Sequence, residues 1–145
     1  MISDRLHSDA LGRLRAAGLR PTRQRLALAR LLFDGGDRHV TAEQLHDEAT
    51  AARACVSLAT VYNTLHQFVE AGLLREVIVE PGRSYFDTNT SDHHHFYCVD
   101  DGRLQDIPAT EAAFARLPMA PPGSVIERVD VVVRIRRLAD SPSVD

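Results

Sequence analysis

Residues 56–88 restrict the possible folds more than any other stretch, because they join one amphipathic helix to one tight hairpin. The segment VSLATVYNTLHQFVEAGLL has a serine suited to capping a helix as its second residue, and Ala-Gly near its end stops the helix. Its predicted buried stripe consists of Val61, Leu65, Phe68 and Val69. The following LLREVIVEPGRSYFDT predicts two strands around a Pro-Gly turn. A helix followed by such a hairpin is typical of the second half of a winged helix-turn-helix domain.

The residues before this segment predict three further helices. A short first helix is expected over SDALGRLRAAG, capped by Ser8 or Asp9. A second follows Thr22 and ends at a Gly-Gly pair, and a third opens at Thr41, with Gln44 at the capping-box spacing. The predicted fold class is therefore α+β, with a winged-helix DNA-binding domain over residues 1–88.

Residues 89–145 have a different pattern, which predicts a small α/β dimerisation domain. HHHFYCVD and RLQDI are expected to pair as strands across an Asp-Gly turn, and TEAAFARL to form a short helix. Apolar and charged residues alternate in SVIERVDVVVRIRRL, which predicts a long half-buried strand. About 55 residues rarely build a self-sufficient core, so the domain is expected to pair in a homodimer.

Composition excludes several classes of protein. No apolar run approaches the ~20 residues that span a bilayer, and the N-terminus lacks the apolar core of a signal peptide. We therefore expect a soluble cytoplasmic protein with no membrane partner. The net charge is −3, but residues 1–30 hold seven arginines against two aspartates. Such a basic segment can attract phosphate on an otherwise acidic protein.

The sequence resembles the ferric uptake regulator family. The matching segments are GLRPTRQRLALARLLF, HVTAEQLHDEA, VSLATVYNTLHQFVEAGLL, GRSYFDT and HHHFYCVDDG, in the family's order. Within the family, DTNTSDHHHFYCVDDG and IERVDVVVRIRRL look most like the iron response regulator branch, Irr. The resemblance implies a dimeric transcription regulator on an inverted-repeat-like DNA operator. It also implies control by haem, with the haem-biosynthesis enzyme ferrochelatase as a further partner.

The residues expected to contact DNA lie on the helix of the first segment and among the arginines. Small polar side chains on an exposed helix face suit the major groove, and arginines suit phosphates. The sequence pattern alone does not distinguish a DNA-recognition helix from an ordinary amphipathic helix. The family resemblance is what favours a recognition helix. The predicted DNA-binding residues are Arg20, Arg23, Arg25, Ser57, Thr60, Tyr62, Asn63, Thr64 and Arg83.

Three adjacent histidines suggest metal ligands, haem ligands or a solvated run. In a strand, His93 and His95 would point to one face and His94 to the other. The resemblance implies a metal site between the domains, with ligands His39, Asp87, His93 and His95, where aspartate replaces the family's usual glutamate at position 87. Three imidazoles and a carboxylate suit Zn(II), Fe(II) or Mn(II).

The same resemblance implies two further ligand sets. The family's second metal site, inside the C-terminal domain, is incomplete here because Val129 stands where the family has a histidine; its remaining ligands would be Asp92, His94 and Glu111. Haem would be held by His93, His94 and His95, since no Cys-Pro dipeptide is present. With two cysteines and no C-x-x-C, we predict no structural all-cysteine zinc site.

Rival functions remain open at this point. A metal with an open position could catalyse hydrolysis, but the chain has no nucleophile elbow, phosphate loop or HExxH motif, and we predict no enzyme. A haem carrier would bind haem without selective DNA binding. Among regulators, the alternatives are a metal-sensing repressor of iron, zinc or manganese and a peroxide-sensing repressor.

Overall fold

The computed structural model describes the backbone of residues 2–91, 93–108 and 117–139. The chain divides into two compact units, Met1–Thr90 and Ser91–Asp145. Within the described part of the chain, no helix combines the length and apolar character needed to cross a membrane.

The first unit contains four helices. They are α1 (Ile2–Ala16), α2 (Arg23–Phe33), α3 (Ala42–Ala51) and α4 (Leu58–Glu70). The number of helices agrees with the sequence prediction, but the predicted start of the first helix at Ser8 or Asp9 is wrong. No glycine or proline interrupts the residues before that point, so the helical backbone extends to Ile2.

The caps of the second, third and fourth helices lie at Thr22, Thr41 and Ser57, where the sequence indicated them. The Thr22 hydroxyl accepts a hydrogen bond from the Arg25 N–H at 3.2 Å. Thr41 and Gln44 form a reciprocal capping box, with distances of 3.1 and 2.9 Å. The Ser57 hydroxyl accepts from the N–H three residues later at 3.1 Å. Each cap satisfies an N–H group that the helix leaves unpaired, which contributes about 1 kcal/mol.

A three-stranded antiparallel sheet completes the first unit. Its strands are β1 (His39–Val40), β2 (Arg75–Glu80) and β3 (Arg83–Asp87), in the order β1-β3-β2. Gly82 has φ +75° in the predicted turn between β2 and β3. His39, which no sequence pattern assigned to a strand, begins β1 and pairs with Asp87. A two-residue strand is too short for its periodicity to be recognised.

The core of the first unit lies between the helices. Leu14, Leu28, Leu32, Leu45 and Phe68 have no exposed surface and belong to one apolar cluster. Of the predicted α4 stripe, Val61 and Leu65 are fully buried as well, while Val69 packs at the margin of the cluster. The stripe therefore fixes which face of α4 is turned outward.

The second unit contains a three-stranded sheet. Its strands are β4 (His94–Cys98), β5 (Leu104–Ile107) and β6 (Val132–Ile135), in the order β5-β4-β6. β4 pairs with β5 antiparallel, as the predicted hairpin requires, and with β6 parallel. The predicted helix TEAAFARL falls almost wholly on residues outside the described part of the chain.

The long half-buried strand predicted over SVIERVDVVVRIRRL is wrong. Only Val132–Ile135 form a strand, because the partner β4 is itself only five residues long. Side chains beyond Val132 are exposed rather than half buried: Val133 is 38% and Ile135 is 40% exposed. Alternation indicated that this stretch contains a strand, but it could not show where the partner strand ends.

Candidate metal centre and nucleic-acid interface

Two histidines and an aspartate converge within the second unit. His93 and His95 are buried, and their ring centroids are 4.4 Å apart. Asp106 lies on β5 directly opposite His95. One carboxylate oxygen, Oδ1 of Asp106, is 3.3 Å from Nε2 of His93 and 3.3 Å from Nε2 of His95. We call these three residues the sheet triad.

The hydrogen bonding of His93 indicates which of its ring nitrogens can bind a metal. Nδ1 of His93 lies 2.6 Å from the carbonyl oxygen of Ser91. A carbonyl oxygen only accepts, so Nδ1 must carry the hydrogen, and in the neutral ring Nε2 then holds a lone pair. That lone pair faces the Asp106 carboxylate, which is also an acceptor. Two electron-rich atoms that face each other repel, and a cation bound between them would remove that repulsion.

The first unit holds a second pair of the predicted ligand residues. His39 and Asp87 face one another across β1 and β3, with His39 Nε2 3.1 Å from Asp87 Oδ2. The Asp87 side chain is almost fully buried, and its Oδ1 accepts from the Asn89 N–H at 2.9 Å. The pair is therefore held in place by backbone pairing and by a hydrogen bond to the carboxylate.

The residues next to this pair fasten the two strands together. The Arg38 N–H donates to the Thr88 hydroxyl at 2.8 Å, and the Thr88 N–H donates to the Arg38 carbonyl at 3.1 Å. The Arg38 guanidinium donates two hydrogen bonds to Glu48, at 2.7 and 2.6 Å. This carboxylate raises the pKa of Arg38. The bidentate pair anchors the residue before β1 to α3.

The structure thus brings together the predicted residues in two sets, one in each unit. His39 meets Asp87, and His93 meets His95. Sequence reasoning missed Asp106, although both strands of its hairpin were predicted. The Asp-Gly turn was recognised, but the loop closes between Cys98 and Arg103, which places residue 106 opposite residue 95. All the donors are nitrogen or oxygen, a set that fits Zn(II), Fe(II) or Mn(II).

His94 lies apart from the sheet triad. Its Nδ1 accepts a hydrogen bond from the Val131 N–H at 3.2 Å. In the neutral ring Nε2 must then carry the hydrogen, which leaves no lone pair there for a metal or haem iron. This geometry gives no support to the haem prediction. Asp92 and Glu111, predicted with His94 in a second metal site, lie outside the described residues.

The outward face of α4 carries most of the polar side chains predicted to contact DNA. Ser57 and Asn63 are exposed, and Thr60 is half exposed. Thr64, however, is only 5% exposed, so most of its side chain is covered, and its contact with DNA stays a prediction. Position 64 is three residues after Val61 and four before Phe68, which turns it toward the apolar stripe.

Tyr62 is tied to a neighbouring helix. Its ring packs at the margin of the core, and its hydroxyl donates to Oε1 of Glu43 on α3 at 2.6 Å. This hydrogen bond raises the pKa of Tyr62 and lowers the pKa of Glu43. The positive charge of Arg83 further lowers the pKa of Glu43. The orientation of the Tyr62 ring is therefore set before any ligand arrives.

The predicted phosphate-contacting arginines have different surroundings. Arg20, Arg23 and Arg83 are exposed. Arg25 is half exposed, and its guanidinium donates to the Arg20 carbonyl and to Oε1 of Gln67, both at 3.0 Å. These contacts cross an open groove lined by Arg20, Thr22, Gln24, Arg25, Thr60, Asn63, Thr64 and Gln67.

The family profile described as the ferric uptake regulator family matches residues 16–115. The chain therefore belongs to the ferric uptake regulator family, whose members are transcription regulators rather than enzymes. This agrees with the family and the non-enzymatic class predicted from the sequence. The chain is also similar to the peroxide-responsive repressor PerR of Staphylococcus aureus, at 34% identity over 99 residues. The match spans 68% of this chain and 66% of that relative, just under two thirds.

Solved structures agree with the predicted fold class. The ferric uptake regulator from Pseudomonas aeruginosa with manganese is 27% identical, with a TM-score of 0.63, over 86% of this chain and 94% of that one. A zinc-bound manganese uptake regulator is 27% identical, with a TM-score of 0.63, over 89% and 98%. The Vibrio cholerae ferric uptake regulator, 23% identical over 86% and 96%, shares the fold at a TM-score of 0.66. The winged-helix domain followed by a small α/β domain is thereby confirmed.

Proposed function

We propose that the protein is a metal-responsive, DNA-binding transcription regulator that acts as a homodimer. The observation that carries this proposal is the sheet triad, in which lone pairs of imidazole and carboxylate groups face one another. An imidazole lone pair and a carboxylate oxygen at 3.3 Å repel each other, and a bound cation would turn that repulsion into attraction. The similar solved proteins hold manganese or zinc, as their descriptions state, and the donors here suit both metals.

His39 and Asp87 complete the proposed coordination. Together with His93, His95 and Asp106 they supply three imidazoles and two carboxylates. Support comes from the pairing of His39 with Asp87 across a fastened sheet edge, and from the family resemblance. A bound divalent ion would supply the positive charge that neutralises the two carboxylates. Metal binding would thereby control the presentation of α4 to DNA.

The DNA-binding part of the proposal rests on the first unit. Ser57 and Asn63 offer polar groups on the outward face of α4, while Arg20, Arg23 and Arg83 offer exposed positive charge. A helix with this composition suits the major groove, and exposed arginines suit the phosphates beside it. A homodimer would place two such helices on an inverted-repeat-like operator.

The edge of the second sheet supports the homodimer. Among the described strands, β6 pairs with β4 on one side only. Its apolar side chains Val133 and Ile135 are exposed, as is Leu138 just beyond it, at 77%. An apolar edge strand of this kind associates readily with another copy.

A metal titration tests the proposed centre. Metal-free wild type, His95→Ala and the matched control His46→Ala are titrated with Mn(II) and Zn(II) by calorimetry. We then measure their affinity for a duplex selected from a randomised library. Wild type and His46→Ala should bind metal and, when loaded, the duplex, whereas His95→Ala should lose about 100-fold in metal affinity. Equal metal affinity in all three proteins would refute the site.

The finer assignment to the Irr branch, with haem as effector, is a separate proposal that rests on the run of three histidines. Absorbance titration with haem, of wild type and of the His93/His94/His95 triple alanine variant, tests it. Stoichiometric binding that is lost in the variant and that weakens DNA binding would support haem control. Unchanged binding in the variant would exclude these residues as haem ligands.

Peroxide sensing is the alternative favoured by the Staphylococcus aureus relatives, which are named peroxide-responsive repressors. The discriminating comparison is between Fe(II)-loaded and Mn(II)-loaded protein, each treated with hydrogen peroxide. Loss of duplex binding in the Fe(II) form alone would support a peroxide response. Retention of binding in both forms would favour a regulator that responds to metal only.

A further inference from the structure

The contact between Arg25 and Gln67 determines which end of the Gln67 amide faces away from the protein. A guanidinium has donors and no acceptor, so the amide atom 3.0 Å from Arg25 Nη2 must be the oxygen. The Nε2 group, with its two hydrogens, is then the outward end. No acceptor for it exists among the residues that the structure describes.

The position of Gln67 places this Nε2 group on the proposed DNA-binding surface. Gln67 is exposed in the last turn of α4, four residues after Asn63, and both side chains line the groove that begins at Arg20. Arg25 in the first turn of α2 is fixed by its second hydrogen bond, to the Arg20 carbonyl. The Arg25 guanidinium, itself hydrogen-bonded to a backbone carbonyl, therefore fixes the orientation of the Gln67 amide.

We propose that Gln67 is a specificity-determining residue that recognises hydrogen-bond acceptors on a base edge, and that Arg25 is its positioning residue. This inference rests on the proposed DNA-binding function. An unconstrained glutamine pairs with adenine through one donor and one acceptor. A glutamine whose oxygen is held by Arg25 presents two donors instead. Guanine, with N7 and O6 adjacent in the major groove, is the base that this arrangement favours.

Duplex selection with Mn(II)-loaded protein tests the proposal. Wild type and Gln67→Ala are compared to find the base pair whose preference depends on Gln67, and we expect guanine there. Replacing that guanine by 7-deazaguanine, which lacks N7, should weaken wild-type binding about fivefold, the effect of losing one hydrogen bond. The same replacement should leave Gln67→Ala unaffected. An adenine preference that depends on the adenine amino group would overturn the inference.

Two variants separate the positioning role of Arg25 from its charge. Arg25→Lys keeps the charge, but an ammonium cannot bridge the Arg20 carbonyl and the Gln67 amide as the planar guanidinium does. It should lose the guanine preference about fivefold, a change in base selectivity that weaker phosphate contact alone would not produce. Gln67→Glu can still contact Arg25 but has no donor to offer, so it should disfavour guanine. Arg103→Ala is the control for loss of a surface charge, and thermal unfolding verifies that each variant folds.

The outcomes separate failure of this inference from failure of the proposed DNA-binding function. If Arg25→Lys selects the same base as wild type, Arg25 does not position Gln67, although DNA binding itself stands. If metal-loaded wild type selects no duplex sequence, the proposed function fails and this inference fails with it.

Discussion

Asp106→Asn should have opposite effects on the metal-free and metal-loaded protein. The substitution removes a negative charge from a point 3.3 Å from two imidazole nitrogens and introduces an amide that can donate to one of them. Without metal, the free energy of unfolding should stay level or rise, because a contact between acceptors becomes a hydrogen bond. With metal, a ligand and its charge are lost, and affinity should fall by about 100-fold.

The size of this effect follows from binding linkage. At a metal concentration 100 times the wild-type Kd, metal stabilises the wild type by about 2.7 kcal/mol. A variant that binds about 100-fold more weakly gains only about 0.4 kcal/mol at the same concentration. For a chain of this size, each kcal/mol shifts Tm by about 2–4 °C, so a shift of roughly 5–10 °C should fall to one of about 1–2 °C.

Thermal unfolding with and without Mn(II) measures both effects, with His46→Ala as the matched control. An Asp106→Asn protein that shows the full wild-type shift would refute Asp106 as a ligand. A metal-free variant destabilised by several kcal/mol would show instead that the carboxylate is structural.

Three further predictions concern the first unit. Tyr62→Phe should lower the free energy of unfolding at neutral pH by up to about 1 kcal/mol. Because Glu43 has a lowered pKa in the folded state, its contribution is present above its ordinary value of 4.5 and is lost as pH falls through the lowered pKa. Urea titrations across that range should therefore show the difference from wild type shrinking, and a constant difference would contradict the linkage. Arg38→Gln should leave the Glu48 carboxylate without its bidentate partner and lower the free energy of unfolding in urea by roughly 1–2 kcal/mol. Calorimetry should also show weaker metal binding. Unchanged metal binding would show that the Arg38–Glu48 pair does not position His39. Thr41→Ala should cost about 1 kcal/mol through loss of the α3 cap, measured by the same urea titration; a cost below a few tenths would show that water replaces the cap.

Local signals predicted most of the first unit because they depend on neighbouring residues only. The serine and threonine caps, the Pro-Gly turn and the apolar spacing of α4 each act within a few positions of the chain. Thr64 is the exception on α4. Its polarity suggested the outward face, whereas its position between Val61 and Phe68 turned it inward.

Strand pairing accounts for what the sequence did not reveal. β1 exists because β3 offers it a partner, and β6 ends where β4 ends. Asp106 joined the sheet triad through the register of a hairpin whose loop closes between Cys98 and Arg103. Register depends on residues that are distant in sequence, so residue types and periodicity alone left these features undetermined.

Strand β3 has one further consequence, which follows from its two ends. It begins with exposed Arg83, a proposed DNA contact, and ends with buried Asp87, a proposed metal ligand. Five extended residues span only about 13 Å, so the proposed metal ion and the DNA duplex would lie at opposite ends of one short strand of fixed length. Inserting a single residue between Arg83 and Asp87 would move the Asp87 carboxylate to the opposite face of the sheet. Metal binding would then no longer be coupled to DNA binding, even in a protein that still folds.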